Sequence, residues 1–128
     1  MRADRYDGAV PVRSLAVDEL SSLLGVLSHR DRIRLIEELR DDEHDVKSLS
    51  AALDIAQPRV SQHLAQLRAH HVVQMRREGR RVHYRLANPR VARWLVEGLD
   101  FIEADLRHSQ ELLKAVEETR SSWSEDER

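Results

Sequence analysis

Two short helical runs lie only four residues apart in the middle of this chain, and an alternating, arginine-rich stretch follows the second. Val46, Leu49 and Leu53 share one helix face, and a new helix opens at Pro58. Proline suits the first helical position and pushes the preceding residue out of helical geometry, so Gln57 is expected to be the cap. The linker Asp54-Ile55-Ala56-Gln57 then has the tight spacing of a helix-turn-helix. From Val73 the period changes to two. Apolar and polar residues alternate through 73–77 and 81–86, with Glu78-Gly79 between them as a turn. That pattern predicts a two-stranded hairpin with Val73, Met75, Val82, Tyr84 and Leu86 facing inward and Arg81, His83 and Arg85 outward.

The helix from Pro58 to about His70 divides cleanly when plotted at about 100° per residue. Val60, Leu64 and Leu67 fall on the core side. Pro58, Arg59, Gln62, Ala65, Gln66 and Ala69 fall opposite, with Ser61 on the flank. A helix that only faces water usually carries Glu–Lys pairs on its outer face, and this one has none. Gln and Arg can make bidentate hydrogen bonds to base edges, while alanines permit close approach to a groove floor or a thymine methyl. An exposed helix of chance composition is the plainer alternative.

The hairpin concentrates charge. Its segment RREGRRVHYRL, residues 76–86, holds five arginines against one glutamate. From Gln57 to Arg90 there are eight arginines and one acid, a net +7, so −9 falls on the remainder of a chain whose formal total is −2. A basic patch inside an acidic chain is a localised electrostatic footprint, most often for a polyanion. A ribbon next to a helix-turn-helix holds Arg76, Arg77, Arg80 and Arg81 where they can grip phosphates. A solvated hairpin without a partner is the competing reading.

Around this centre the reading is helical. Residues 1–13 lack periodicity and are expected to form a flexible arm. From Ser14 a helix begins, with Leu20, Leu23, Leu24 and Leu27 in one stripe. Ser28-x-x-Asp31 looks like the start of a second helix, with Ile33, Ile36 and Leu39 inward. The acidic run 41–45 is a connection. After Asn88-Pro89, Leu95, Leu99, Ile102, Leu106, Ser109, Leu113 and Val116 recur in 4-3-4-3 spacing, a coiled-coil-like seam. A homodimer pairing the first and last helices of two chains would cover it, with Leu20, Leu23, Leu95, Leu99, Ile102, Leu106 and Leu113 in the interface. The expected fold is therefore mainly α with a β-hairpin: four helices, the hairpin and a long helix. One DNA-binding and dimerisation domain is expected over 14–118, and a flexible tail over 119–128.

In this order the elements resemble the ArsR/SmtB family of bacterial winged-helix repressors over roughly residues 20–100. LSHRDRIRLIEEL (27–39) is similar to the family's Leu-x-x-x-x-Arg-x-x-Ile-Leu segment, RVSQHLAQLRAHHVV (59–73) to its recognition helix, and RREGRRVHYRL to its wing. The resemblance implies a winged helix-turn-helix homodimer that binds a double-stranded operator and blocks transcription until an effector releases it. By position it implies DNA contacts from Gln57, Pro58, Arg59, Ser61 and Gln62, to which the helix plot adds Gln66. Many members sense metals through thiolates in a Glu-Leu-Cys-Val-Cys-Asp segment. Here the aligned residues are Glu43-His44-Asp45-Val46-Lys47-Ser48, and the chain has no cysteine. A second family site falls on Asn88, Arg90, Phe101 and Ala104, a poor ligand set. Sensing through thiols or soft metals is therefore not expected.

Other readings are weaker. A nitrogen/oxygen metal site could use His44 and Asp45, or Asp105, His108 and Glu111 along one helix face, although such spacing usually marks a solvated face. His70-His71 is expected to end the recognition helix with His71 turned inward. No nucleophile or acid/base motif supports an enzyme, and no cofactor is expected. A winged-helix module that binds another protein is the remaining alternative. No stretch approaches the roughly 20 apolar residues of a membrane span, and the expected location is the cytoplasm.

Overall fold

The computed structural model describes residues 11–126. The first ten residues of the expected arm lie outside that range. Helix α1 spans Val12–Leu27, two residues earlier than the periodicity suggested. Pro11 cannot continue a helix backwards, but its carbonyl accepts from Ser14 N–H at 3.0 Å and Leu15 N–H at 3.2 Å, so it starts the first turn.

Helix α2 spans Arg30–Glu38 and is capped by His29, not Ser28: the His29 ring accepts from the Asp31 N–H at 3.2 Å. Ser28 instead closes α1 through its own N–H to the Gly25 carbonyl. The inward face of α2 is Leu35, Ile36 and Leu39, at 0%, 0% and 2% exposure. Ile33 was expected with them but is 39% exposed. It lies roughly 120° around the helix from Leu39, outside the buried arc.

Helix α3, Val46–Leu53, has the predicted bounds, and the Asp45 carboxylate accepts from the Ser48 N–H at 2.7 Å. Asp54 then enters the left-handed region, at φ 55° and ψ 50°, which aspartate tolerates better than most residues. Ile55 plugs the turn, and Arg34 donates to the Leu53 carbonyl at 2.7 Å, tying α2 to the end of α3. Helix α4 spans Gln57–Ala69, with Ala56 as its cap. Gln57 is thus the first helical residue and not the cap, because Pro58 sits in the first turn with Gln57 ahead of it.

The end of α4 departs from expectation. His71, at φ 60°, is exposed. The Val72 N–H reaches back to the Leu67 carbonyl at 2.9 Å, a helix stop that reverses the chain at His71 and turns Val72 and Val73 inward.

Strands β1, Val73–Glu78, and β2, Arg81–Leu86, pair antiparallel, from Val73 opposite Leu86 to Glu78 opposite Arg81. The turn is Gly79-Arg80, with Gly79 at φ 61°, one residue later than predicted. A two-residue hairpin loop needs positive φ, which glycine supplies without steric cost. His44 adds a single bridge to Tyr84 with two backbone bonds of 3.0 and 2.8 Å, anchoring the hairpin to the connection before α3. Leu35, Ile36, Leu49, Val60, Leu64, Leu67 and Val73 form the fully buried centre.

Helix α5 spans Arg90–Asp126. From Arg93 onward it forms a separate unit. Its 37 residues correspond to about 55 Å. The expected tail is helical as far as Asp126, because nothing after Gly98 is a glycine or proline that would stop it.

Candidate nucleic-acid interface

The buried ridge of α4 is Val60, His63, Leu64 and Leu67. It turns Gln57, Pro58, Arg59, Ser61, Gln62 and Gln66 outward, and all six are exposed, as are Ala65 and Ala69. The outer face therefore has the small, amide-rich composition expected, with Ser61 exposed beside it. Arg59 is 64% exposed, with its Nε 3.8 Å from an Asp31 carboxylate oxygen.

The arginines of the hairpin divide into two groups. Arg76 is bound by two acids, hydrogen-bonding through Nη2 and Nε to Glu43 and through Nη1 to Glu78 at 2.9 Å. Its hydrogen bonds to Glu43 and Glu78 push the guanidinium pKa further up, and the same contact pulls the Glu43 carboxyl down. Arg76 thus fastens the hairpin to the acidic connection, and in this chain its guanidinium is already paired. Arg77, Arg80 and Arg81 are exposed at the tip. Arg85 donates across the ribbon to Gln74 at 3.1 and 3.3 Å.

The apolar seam is also uncovered in the single chain. On α5, Leu99, Ile102, Leu106 and Leu113 are 54–65% exposed, while Leu95 is half-buried. On α1, Leu20 is 53% exposed and Leu23 half-buried.

The positions aligned with the family's metal sites, and the weaker nitrogen/oxygen candidates, have other surroundings in this structure. Asp45 is committed to capping α3, Lys47 is a cation, and Phe101 is 79% exposed. His44 is hydrogen-bonded to Ser48 at 3.1 Å. Among the described residues the ligand atoms of Asp105, His108 and Glu111 do not converge; those of His29, Asp31 and His63 do. The sequence reading passed over His63, although the helical spacing from Val60 to Leu67 puts it on the buried ridge.

A helix-turn-helix followed at once by an arginine-tipped hairpin, with an amide-rich outer helix face that carries no Glu–Lys pair, defines a winged helix-turn-helix, DNA-binding transcription regulator. Residues 29–74 match the model of the bacterial regulatory proteins of the arsR family. The chain is 40% identical over 90 residues to the biofilm growth-associated repressor of Agrobacterium fabrum, covering 70% of this chain and 76% of that one. It is 38% identical over 91 residues to the HTH-type transcriptional repressor SmtB of Mycobacterium tuberculosis, covering 71% and 67%. Among solved structures, the transcriptional repressor BigR from Xylella fastidiosa superposes with a TM-score of 0.58 at 33% identity, over 73% of this chain and 92% of BigR. A homodimeric winged helix-turn-helix DNA-binding domain from Mycobacterium bovis shares the fold, with a TM-score of 0.69 at 24% identity over 80% and 94%. The chain belongs to the ArsR family. It is a regulator of transcription and not an enzyme. None of the described helices is long and apolar enough to cross a membrane.

Proposed function

We propose that this chain is a homodimeric repressor that places α4 in the major groove of a double-stranded operator and lays the β1–β2 wing along the backbone. The observation that carries this reading is the outward face of α4: Gln57, Arg59, Ser61, Gln62 and Gln66 are exposed together, with alanines between them. The free arginines at the wing tip, Arg77, Arg80 and Arg81, supply phosphate contacts. Dimerisation through α1 and α5 would bury the exposed leucines of both helices, which form an uncovered apolar line in the single chain. The related repressors from Agrobacterium and Mycobacterium support the repressing role. The DNA-binding and dimerisation domain then runs from α1 through α5, and the protein works where its operator is, in the cytoplasm.

A two-fold dimer reads a pseudo-palindrome whose half-sites lie about one helical turn, roughly 34–36 Å, apart or a multiple of it. Release by an effector, in a chain with no cysteine, does not run through thiol chemistry. Fluorescence anisotropy with the promoter of its own operon is the test. Salt-sensitive binding to a two-fold site, unaffected by hydrogen peroxide or arsenite, is the expected result. Failure to shift any DNA at low salt, with the fold intact, would leave the protein-binding alternative in its place.

A further inference from the structure

At the base of the recognition helix three side chains from two helices meet. His29 caps α2, Asp31 lies in its first turn, and His63 comes from the inner face of α4. The His29 and His63 rings are 4.5 Å apart between centroids, tilted by 58°. His63 Nε2 is 3.8 Å from an Asp31 carboxylate oxygen. One ligand atom from each of the three lies within 4.8 Å of the other two. His63 is 8% exposed, and its buried Nε2 has no hydrogen-bond partner, although its Nδ1 accepts from Arg32 Nε at 3.3 Å. An imidazole nitrogen in that condition is costly unless something occupies it.

We propose that His29, Asp31 and His63 form a site for a divalent metal of the zinc, cobalt or nickel class, clasping the start of α2 to the inner face of α4. Two imidazoles and a carboxylate, with water in the fourth position, are a common tetrahedral set, and they suit borderline metals rather than the thiophilic ones. Metal–ligand bonds of about 2.0–2.2 Å put tetrahedral ligand atoms about 3.4 Å apart, so the present separations close by side-chain rotation of about an ångström. Burial, with His29 and Arg32 nearby, lowers the His63 pKa from the usual histidine value, against the pull of Asp31. Binding at Nε2 moves the ring proton to Nδ1, with no net proton released. The Arg32 Nε bond to that nitrogen is then given up, while Arg32 keeps its bond to the Val26 carbonyl at 3.1 Å. Arg34, 3.5 Å from Asp31, and Arg59, 3.8 Å away, hold the carboxylate loosely, and the metal replaces them as its counter-charge.

A consequence for DNA follows, resting on the operator-binding reading. Arg59 stands on the outer face of α4, and among the described residues its acidic partner is Asp31. Metal binding withdraws that carboxylate and adds positive charge behind the recognition helix. The metal therefore acts as a co-repressor that tightens the complex, adding about one unit to the salt slope for each phosphate contact Arg59 gains.

The full chain titrated with cobalt(II) alone, followed by its visible ligand-field bands, and with zinc by calorimetry, tests the site. One metal per chain is expected at micromolar concentrations. Asp31→Asn and His29→Asn, the latter keeping a side chain that can cap α2, should each weaken binding more than about tenfold with an unchanged circular dichroism spectrum. His44→Ala and His108→Ala should bind as wild type. No binding by wild type, or undiminished binding by both Asp31→Asn and His29→Asn, overturns the site. Binding to operator DNA is then measured with and without zinc. Unchanged or weakened DNA binding by metal-loaded wild type overturns co-repression while the site stands. Metal binding by a chain that shifts no DNA defeats the operator reading and not the site.

Discussion

Arg76 and Arg80 occupy one ribbon and carry the same charge, yet their surroundings give them different work. Arg76 is held by Glu43 and Glu78, while Arg80 is exposed in the turn. Replacing both Arg80 and Arg81 by Ala should weaken binding to operator and scrambled DNA alike and lower the salt slope by about one unit per lost contact. Arg76→Ala should leave the slope nearly unchanged. Gln62→Ala should instead relax discrimination at one operator position by roughly 1–3 kcal/mol, with binding to random DNA retained. Titrations on both DNAs at several salt concentrations separate these outcomes, and wing variants that bind random DNA as tightly as wild type would remove the proposed role of the wing. Glu43 gives a pH test. Its folded pKa lies below the ordinary 4.5, so its contribution is present above about pH 4.5 and is lost as pH falls through the folded value. Urea midpoints measured on descending from neutral pH should drop more steeply below 4.5 for wild type than for Glu43→Gln.

At the scale of elements, the wing depends on its two-residue turn. Gly79 adopts φ 61° with nothing within 4 Å of where a Cβ would stand, so a substitution there is strained by the backbone and not by crowding. Gly79→Val should cost about 1–2 kcal/mol. The damage should be local, because among the described residues β1 and β2 pair only with each other apart from the single bridge to His44. Faster amide exchange through β1 and β2, with α2–α4 protection unchanged, is the expected pattern; uniform loss of protection would show that the wing and the helices unfold as one unit. Helix α5 has a different character. The 4-3 phase of its seam continues past Val116 through Arg120 to Trp123, which is 68% exposed. A helix this long with an uncovered apolar line calls for a partner along much of its length.

For the molecule as a whole, that partner is proposed to be a second copy. Leu106→Asp places a charge in the centre of the seam, where an unpaired buried carboxylate costs several kcal/mol. The residue is 59% exposed in the single chain, so the substitution should not disturb the chain's own fold. Sedimentation should give a dimer for wild type at micromolar concentration and a folded monomer for Leu106→Asp, with operator affinity falling steeply because two half-sites are no longer read together. A monomeric wild type would end the dimer proposal.

What the sequence by itself determined is everything carried by periodicity and local chemistry. The bounds of α3 and of β2, the burial of Val73 and Leu86 at the root of the hairpin and the outward face of α4 follow from which residues must leave water and which can stay in it; the alternation did not separate His83 from Tyr84, which are equally half-buried. Element ends were less legible: His29 in place of Ser28 as a cap, Ala56 in place of Gln57, and a turn at Gly79-Arg80 each differ by one residue, because neighbouring positions offer the chain nearly equal local energies. Only the tertiary structure decided which charges are free. Arg76 meets Glu43 across 33 positions of sequence, and His63 meets Arg32 across 31. No local rule ranks one arginine of RREGRRVHYRL above another, and helical spacing alone cannot say that a buried histidine faces an aspartate on another helix. Those pairings exist because α2, α3 and α4 must share one small core around Leu35, Leu49 and Leu64, and packing that core brings distant polar groups to its edge.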